Sequence, residues 1–305
     1  MEAPVIDAQQ FLSTENNQTL PPSSLAHAIA QAARDFGFCQ LVNHGLSIRL
    51  LDELEVKRTQ DNPNGYFNDE FTKQALDLKE GFDCLYDDSI AGEANFVAPN
   101  QWPEGQVEFR RVLQQCMEEM SRASFKLLEA LSLGLDLPPD TLRPFFQGHH
   151  TSFLRLNFYP ATPEGKQGLG VHHHTDAGFL TILVQDPEVP GLEFFKEGRW
   201  HLVTPIRGAL TINVGDQAQV LTNDLIKAPL HRVRATQGRQ PRYSAPFFFN
   251  PRVDAVTAPL PGCVTAGRPA VYQPIPWKEF REKRFAGDYA DLGEEVQISH
   301  WKVQH

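Results

Sequence analysis

Two hydrophobic periods divide the chain. Over the second half apolar and polar residues alternate: Leu154, Leu156 and Phe158 interleave with Arg155, Asn157 and Tyr159, which predicts a half-buried strand with one polar face. Short strands are predicted at Phe179–Gln185, Gly191–Phe195, Trp200–Val203, Ala209–Val214, Gln219–Leu221, His231–Ala235 and Ser244–Phe249, with Glu197-Gly198 as a hairpin turn. Strands of this number and length suggest a sandwich or barrel. The first half follows the helical period. Leu25, Ile29, Ala32, Ala33 and Phe36 line one face of a helix that Ser23 or Ser24 would cap and Gly37 would stop. A strand over Phe38–Val42, a turn at Asn43-His44-Gly45 and a helix over Ser47–Thr59 follow. Residues 4–12 read as a short opening strand. The segment Asn62–Pro103 lacks a clear period and reads as loop with one helix near Glu70–Lys79. Its amide-rich, aromatic composition suggests a lid, with Phe96 or Trp102 bordering a substrate pocket. A long helix over Glu104–Leu133 carries Val112, Cys116, Met120, Ala123, Leu127, Leu128 and Leu131 near helical spacing and should back the sheet. Lys278–Asp288 is one more helix.

Composition changes this picture little. At 305 residues, 41% hydrophobic and 22% charged, the chain is long enough for a large core. A net charge of −10 argues against a nucleic-acid partner. No apolar run reaches the length of a membrane span, and Met1-Glu2-Ala3-Pro4 lacks the regions of a signal peptide, so a cytoplasmic location is expected. The four cysteines are scattered and read as small buried hydrophobes. His44 reads as a turn-stabilising residue.

The candidate chemistry lies in Val171-His172-His173-His174-Thr175-Asp176. His174 and Asp176 are two apart, so an extended backbone points them to one side. His231, in Pro229-Leu230-His231-Arg232-Val233, is the best third ligand. Two imidazoles and a carboxylate form the facial set used by non-haem Fe(II), with coordination positions left open. A structural zinc would instead fill its sites with Cys or His. His172 and His173 read as solvent-facing, or as groups that orient a ligand. Arg242 and Ser244 form a second polar pair two apart on a predicted strand.

His-x-Asp, a distant His-Arg-Val and Arg-x-Ser together resemble the isopenicillin N synthase-like Fe(II)/2-oxoglutarate dioxygenases. The resemblance extends through Asn157-Phe158-Tyr159-Pro160, Thr211 to Asp216, Leu221-Thr222-Asn223, Asp35 to Phe38 and Val42 to Gly45. It implies a mainly β fold with flanking helices: a double-stranded β-helix (jelly-roll) core at 149–250, an N-terminal helical and mixed region at 1–148 with the long spine helix, and a closing segment at 251–305. The implied cofactors are Fe(II), 2-oxoglutarate as co-substrate and O2. The implied reaction oxidises a small organic molecule by hydroxylation or desaturation, releasing succinate and CO2. Arg242 and Ser244 would hold the far carboxylate of 2-oxoglutarate, Tyr159 and Asn157 would touch the co-substrate, and Phe248 would face the substrate. Two alternatives remain: an oxidase of the same fold that uses no 2-oxoglutarate, like isopenicillin N synthase or aminocyclopropane-carboxylate oxidase, and a non-catalytic jelly roll with a structural metal.

Overall fold

The computed structural model describes residues 1–9, 11–12, 20–44, 64–68, 71–72, 75–162, 168–236, 240–286 and 296–303. In chain order its strands are β1 (Val5–Asp7), β2 (Phe38–Val42), β3 (Gly65–Phe67), β4 (Phe71–Thr72), β5 (Ala75–Leu76), β6 (Glu80–Leu85), β7 (Phe153–Tyr159), β8 (Leu169–His174), β9 (Leu180–Gln185), β10 (Leu192–Lys196), β11 (Arg199–Leu202), β12 (Leu210–Val214), β13 (His231–Arg234), β14 (Arg242–Phe249), β15 (Val256–Thr257) and β16 (Ile275–Pro276). The helices are α1 (Ser23–Asp35), α2 (Val107–Gly134), α3 (Asp216–Leu221) and α4 (Trp277–Ala286).

The period-two segments pair into a major sheet, in the order β1-β2-β12-β9-β14-β7-β6-β3, and a minor sheet, β11-β10-β13-β8. All pairings within the two sheets are antiparallel except β1 with β2. Alternation then gives each major-sheet strand two jobs. Cys39 and Leu41, Leu180 and Ile182, Leu210 and Ile212, and Phe247 and Phe249 share the main core with α1 and α2. On the opposite face Phe38, Tyr159 and Leu183 meet Val171, Leu192, Phe194 and Val233 of the minor sheet. That second cluster is the interior of a double-stranded β-helix, and the site sits within it.

The spine helix runs as expected, with Leu113, Met120, Leu127, Leu128 and Leu131 buried against the sheet. Each such side chain contributes about 1.5–3 kcal/mol by leaving water. The first helix ends at Gly37, whose φ of +69° only glycine adopts freely, and a Cβ there would lie 2.6 Å from Pro229 Cδ. Its start differs from expectation: Pro22 occupies the N-cap and neither serine caps the helix. All four cysteines are buried and free. His44 is buried, with Nε2 2.9 Å from the Gly208 carbonyl oxygen.

Three sequence expectations need correction or fall elsewhere. Gln219–Leu221 is the end of α3, not a strand; three residues cannot separate the two periods, and docking of Asp216 N–H on the Asp176 carbonyl (2.8 Å) starts a helical turn. No helix forms over the described part of 70–79: Phe71–Thr72 pairs with Ala75–Leu76, and Glu80–Leu85 joins β7 along its whole length. Within 70–79 the short pairing of Phe71–Thr72 with Ala75–Leu76, together with the bond from Leu78 N–H to the Leu169 carbonyl of β8 (3.3 Å), overrides helix propensity. The helix expected over Ser47–Thr59 lies outside the described residues. Among the described residues no helix is long and apolar enough to cross a membrane.

Candidate metal and co-substrate site

His174 ends β8 and His231 begins β13, and the two are direct partners in the minor-sheet register. Two residues past His174, Asp176 turns back beneath them. Its Oδ1 lies 3.6 Å from His174 Nε2 and 3.5 Å from His231 Nε2. All three ligand atoms fall within 4.8 Å of one another. Donors spaced this way can share one ion at metal–donor distances of about 2.0–2.2 Å.

The surrounding bonds settle which atoms are offered. His174 Nδ1 donates to the His172 carbonyl (2.7 Å), and His231 Nδ1 donates to the Pro229 carbonyl (3.1 Å). Each Nε2 lone pair is therefore directed at the common point. Asp176 Oδ2 accepts from Thr181 Oγ1 (2.6 Å) and Asn213 Nδ2 (2.7 Å), so Oδ1 alone is presented. Burial opposes ionisation of Asp176, but His231 and His174 outweigh it and hold the carboxyl well below the usual range. Burial and the neighbouring His231 lower the pKa of His174, which favours the neutral imidazole. For His231 burial acts downward, but Asp176 overrides it and raises the pKa; a divalent ion would compete with that proton.

A second polar group lies deeper between the sheets. Arg242 and Ser244 on β14 stand opposite Tyr159 and Asn157 on β7. Arg242 is 1% exposed and sits under the Tyr159 ring, its Cζ 5.0 Å from the centroid. Its Nη2 has one long contact, 3.4 Å, with Gln185 Oε1, while its buried Nε and Nη1 have no hydrogen-bond partner among the described residues. Burial works against its charge more than Tyr159 and Asp186 support it, and its pKa is lowered. A buried guanidinium left this way is costly unless an anion completes it. Asn157 Nδ2 reaches Ser244 Oγ at 3.4 Å, so all four expected residues converge.

Other expected residues separate. Phe248 is half-buried on the same face of β14 as Arg242 and Ser244. Phe96 packs edge-on against Trp277 (6.3 Å) in a cluster that includes Ala177, next to Asp176. Trp102 is not at the site. It packs on Phe82 and Phe109, at 6.2 and 6.4 Å, on the helix-facing side of the sheet; the apolar face of β6 points there and draws the indole with it. His172 bonds Asp77 through Nδ1 (3.0 Å) and its backbone N–H (3.1 Å), and His173 is exposed. Thr181 and Asn213 were missed as functional residues, although each occupies a polar position in an alternating strand. Arg284 of α4 was also missed: it donates to the Thr175 carbonyl at 3.0 Å.

Comparison with known proteins bears on this arrangement. Residues 150–251 match the model of the 2OG-Fe(II) oxygenase superfamily, and residues 3–105 match that of the non-haem dioxygenase in morphine synthesis N-terminal region. A 1-aminocyclopropane-1-carboxylate oxidase from Musa acuminata is 33% identical over 306 residues, covering 96% of this chain and 94% of the relative. The chain belongs to the 2OG-Fe(II) oxygenase superfamily. Jasmonate-induced oxygenase 4 of Arabidopsis thaliana is 32% identical, over 83% of the oxygenase described here and 76% of the relative. The crystal structure of JOX2 in complex with 2OG, Fe and JA superposes with a TM-score of 0.77 at 25% identity, covering 98% and 88% of the two chains. A full-length Neurospora crassa protein in complex with alpha-KG and thymine gives 0.77 at 24% identity, covering 94% and 97%, a likeness of fold. The oxygenase is thus an Fe(II)- and 2-oxoglutarate-dependent dioxygenase of small metabolites, with a double-stranded β-helix core.

Proposed function

We propose that His174, Asp176 and His231 hold the iron of this oxygenase, and that Arg242, Ser244 and Tyr159 receive the far carboxylate of 2-oxoglutarate, with Asn157 beside it. The observation that carries this reading is the buried, under-bonded Arg242 guanidinium. Strand β9 spaces the two ends: Thr181 touches Asp176, and Gln185, four residues on, touches Arg242. That separation, about 13 Å along an extended strand, suits a five-carbon diacid contacting metal at one end and a guanidinium at the other.

When bound, Fe(II), 2-oxoglutarate and O2 supply the oxidising power, with 2-oxoglutarate converted to succinate and CO2 as substrate is hydroxylated or desaturated. The chain's own residues do the positioning. Thr181 and Asn213 hold Asp176 to a single presented oxygen. The carbonyls of His172 and Pro229 set both imidazole tautomers. Arg242 supplies a permanent positive charge whose planar fork matches a carboxylate. Leu183, Val171, Phe194 and Val233 keep the surroundings dry. Phe248, and Phe96 at the C-terminal cluster, would border the substrate. On this reading residues 149–250 carry the chemistry, 1–148 supply α1, α2 and the strands β1, β2, β3 and β6 of the major sheet, and 251–305 are the closing segment.

The 1-aminocyclopropane-1-carboxylate oxidase relative keeps one other reading in view, in which Arg242 and Ser244 meet a different carboxylate. Anaerobic titration of 2-oxoglutarate into the Fe(II) protein separates the two. A metal-to-ligand charge-transfer band that saturates with 2-oxoglutarate, and that His174→Ala, Asp176→Ala or His231→Ala abolishes, is expected. O2 consumption with substrate but no such band would sink the assignment.

A further inference from the structure

The Arg242 guanidinium is held by contacts of different kinds. The Tyr159 ring lies over it, with Cζ 5.0 Å from the centroid. Gly191 packs against its stem, since a Cβ there would come within 3.1 Å of Cδ. A ring face and a van der Waals contact do not set the rotation of the fork in its own plane. The directional contact is the one from Nη2 to Gln185 Oε1, at 3.4 Å. Nε and Nη1 have no hydrogen-bond partner among the described residues.

The Gln185 amide is itself tied down. Its Nε2 donates to Thr211 Oγ1 at 2.8 Å. Thr211 is buried on β12 as the register partner of Leu183, two residues before Gln185 on β9, so all three side chains face the interior between the sheets. A guanidinium has only donors, so the oxygen end of the amide must face it and the nitrogen end needs an acceptor elsewhere. The Thr211 hydroxyl is that acceptor. Without it nothing would keep the amide from turning its N–H groups toward the cation. Gln185 is also neutral. A carboxylate at this position would close an ion pair with Arg242 and take the fork that an incoming anion needs. A long bond to an amide orients the fork and still yields it.

Resting on the assignment of Arg242 to the far carboxylate above, we propose that Gln185, oriented by Thr211, is a positioning residue that keeps the Arg242 fork turned and uncommitted for a dicarboxylate. Its influence is confined to the far end of the co-substrate. A 2-oxo acid that lacks a second carboxylate should be indifferent to it.

The test uses the full-length Fe(II) protein, titrated anaerobically with 2-oxoglutarate and, in parallel, with 2-oxobutyrate, which keeps the 2-oxo acid end but has no far carboxylate. Both are read by the charge-transfer band. Thr211→Val, which keeps the shape and removes the hydroxyl, should weaken 2-oxoglutarate about fivefold, the net worth of one hydrogen bond, and Thr211→Ser should keep wild-type affinity. Gln185→Glu should weaken it about a hundredfold or more, while the ligand-free protein unfolds at a higher urea concentration. Affinities for 2-oxobutyrate and for Fe(II) should be unchanged in all three variants. Equal weakening of both acids would show a general disturbance of the site, and a Thr211→Ser variant as weak as Thr211→Val would show a packing effect; either overturns the positioning role. So would unchanged 2-oxoglutarate affinity in Thr211→Val and Gln185→Glu beside a loss in Arg242→Met, which leaves the carboxylate assignment standing. If Arg242→Met also binds normally, or the unmodified protein shows no band, the 2-oxoglutarate assignment falls and the role of Gln185 with it.

Discussion

Arg242→Met should shift the balance of stability between two conditions. Without ligand, Arg242 holds a buried charge with Nε and Nη1 unpartnered among the described residues and one 3.4 Å contact to Gln185. Replacing a poorly compensated buried charge with an apolar side chain of similar length stabilises by about 1–4 kcal/mol, so ligand-free Arg242→Met should be the more stable protein. With 2-oxoglutarate that advantage shrinks by the wild type's binding gain, and the order reverses where the ligand-free advantage is smaller than that gain. At a hundredfold excess over its Kd the ligand stabilises the wild type by about 2.7 kcal/mol. The variant, having lost a desolvated charge pair worth about 3–5 kcal/mol, binds hundreds to thousands of times more weakly and gains almost nothing. Thermal and urea unfolding of Fe(II)-loaded protein, anaerobically and with and without 2-oxoglutarate, would show the shift. Arg242→Lys, which keeps the charge but not the fork, should fall between. If Arg242→Met is destabilised in the absence of ligand and keeps the ligand-induced gain, Arg242 is a structural residue and the carboxylate lies elsewhere.

Gly191→Ala probes the same pocket from the minor sheet: its Cβ would lie 3.1 Å from Arg242 Cδ and 3.3 Å from Nε. Shifting the guanidinium should weaken 2-oxoglutarate about fivefold, roughly one hydrogen bond's net worth, with Fe(II) affinity unchanged in the same titration. An acid limb of stability should trace to His150, 1% exposed and stacked on Tyr86 at 4.6 Å. Burial pushes its pKa down to about 4 from 6.5. The unfolded chain therefore takes up a proton that the folded chain refuses, and stability falls as pH drops from about 6.5 toward 4, by up to roughly 3 kcal/mol. Urea unfolding at pH 7 and pH 5 should show a smaller difference for His150→Phe than for the wild type; equal differences would rule His150 out as the source.

The parts of the site legible in the sequence are those that depend on spacing within one strand. His174 and Asp176 two apart, Arg242 and Ser244 two apart, and Asn157 with Tyr159 need only the period of an extended backbone. The missed contacts depend on strand order. Thr181 and Asn213 reach Asp176 because β9 and β12 are neighbours, although about 30 residues separate them in sequence. The Gly65–Leu85 region looked irregular because Gly81 interrupts the hydrophobic pattern. In the fold that glycine seats Phe67, whose ring lies 2.2 Å from where a Cβ would be. Trp102 illustrates the reverse error: an aromatic in an irregular segment suggested a pocket, but the partner that claimed it was the core between β6 and α2.

The bonds from Thr181 and Asn213 to Asp176 Oδ2 have a consequence for how the metal is counted. A free aspartate can swing from one-oxygen to two-oxygen attachment, taking up a position that a reactant would otherwise use. Here that swing is blocked from behind, by a hydroxyl on β9 and an amide on β12. With Asp176 as the proposed ligand, the number of places left for reactants would be decided by two side chains that do not themselves meet the ion, and it could be altered without changing any proposed ligand.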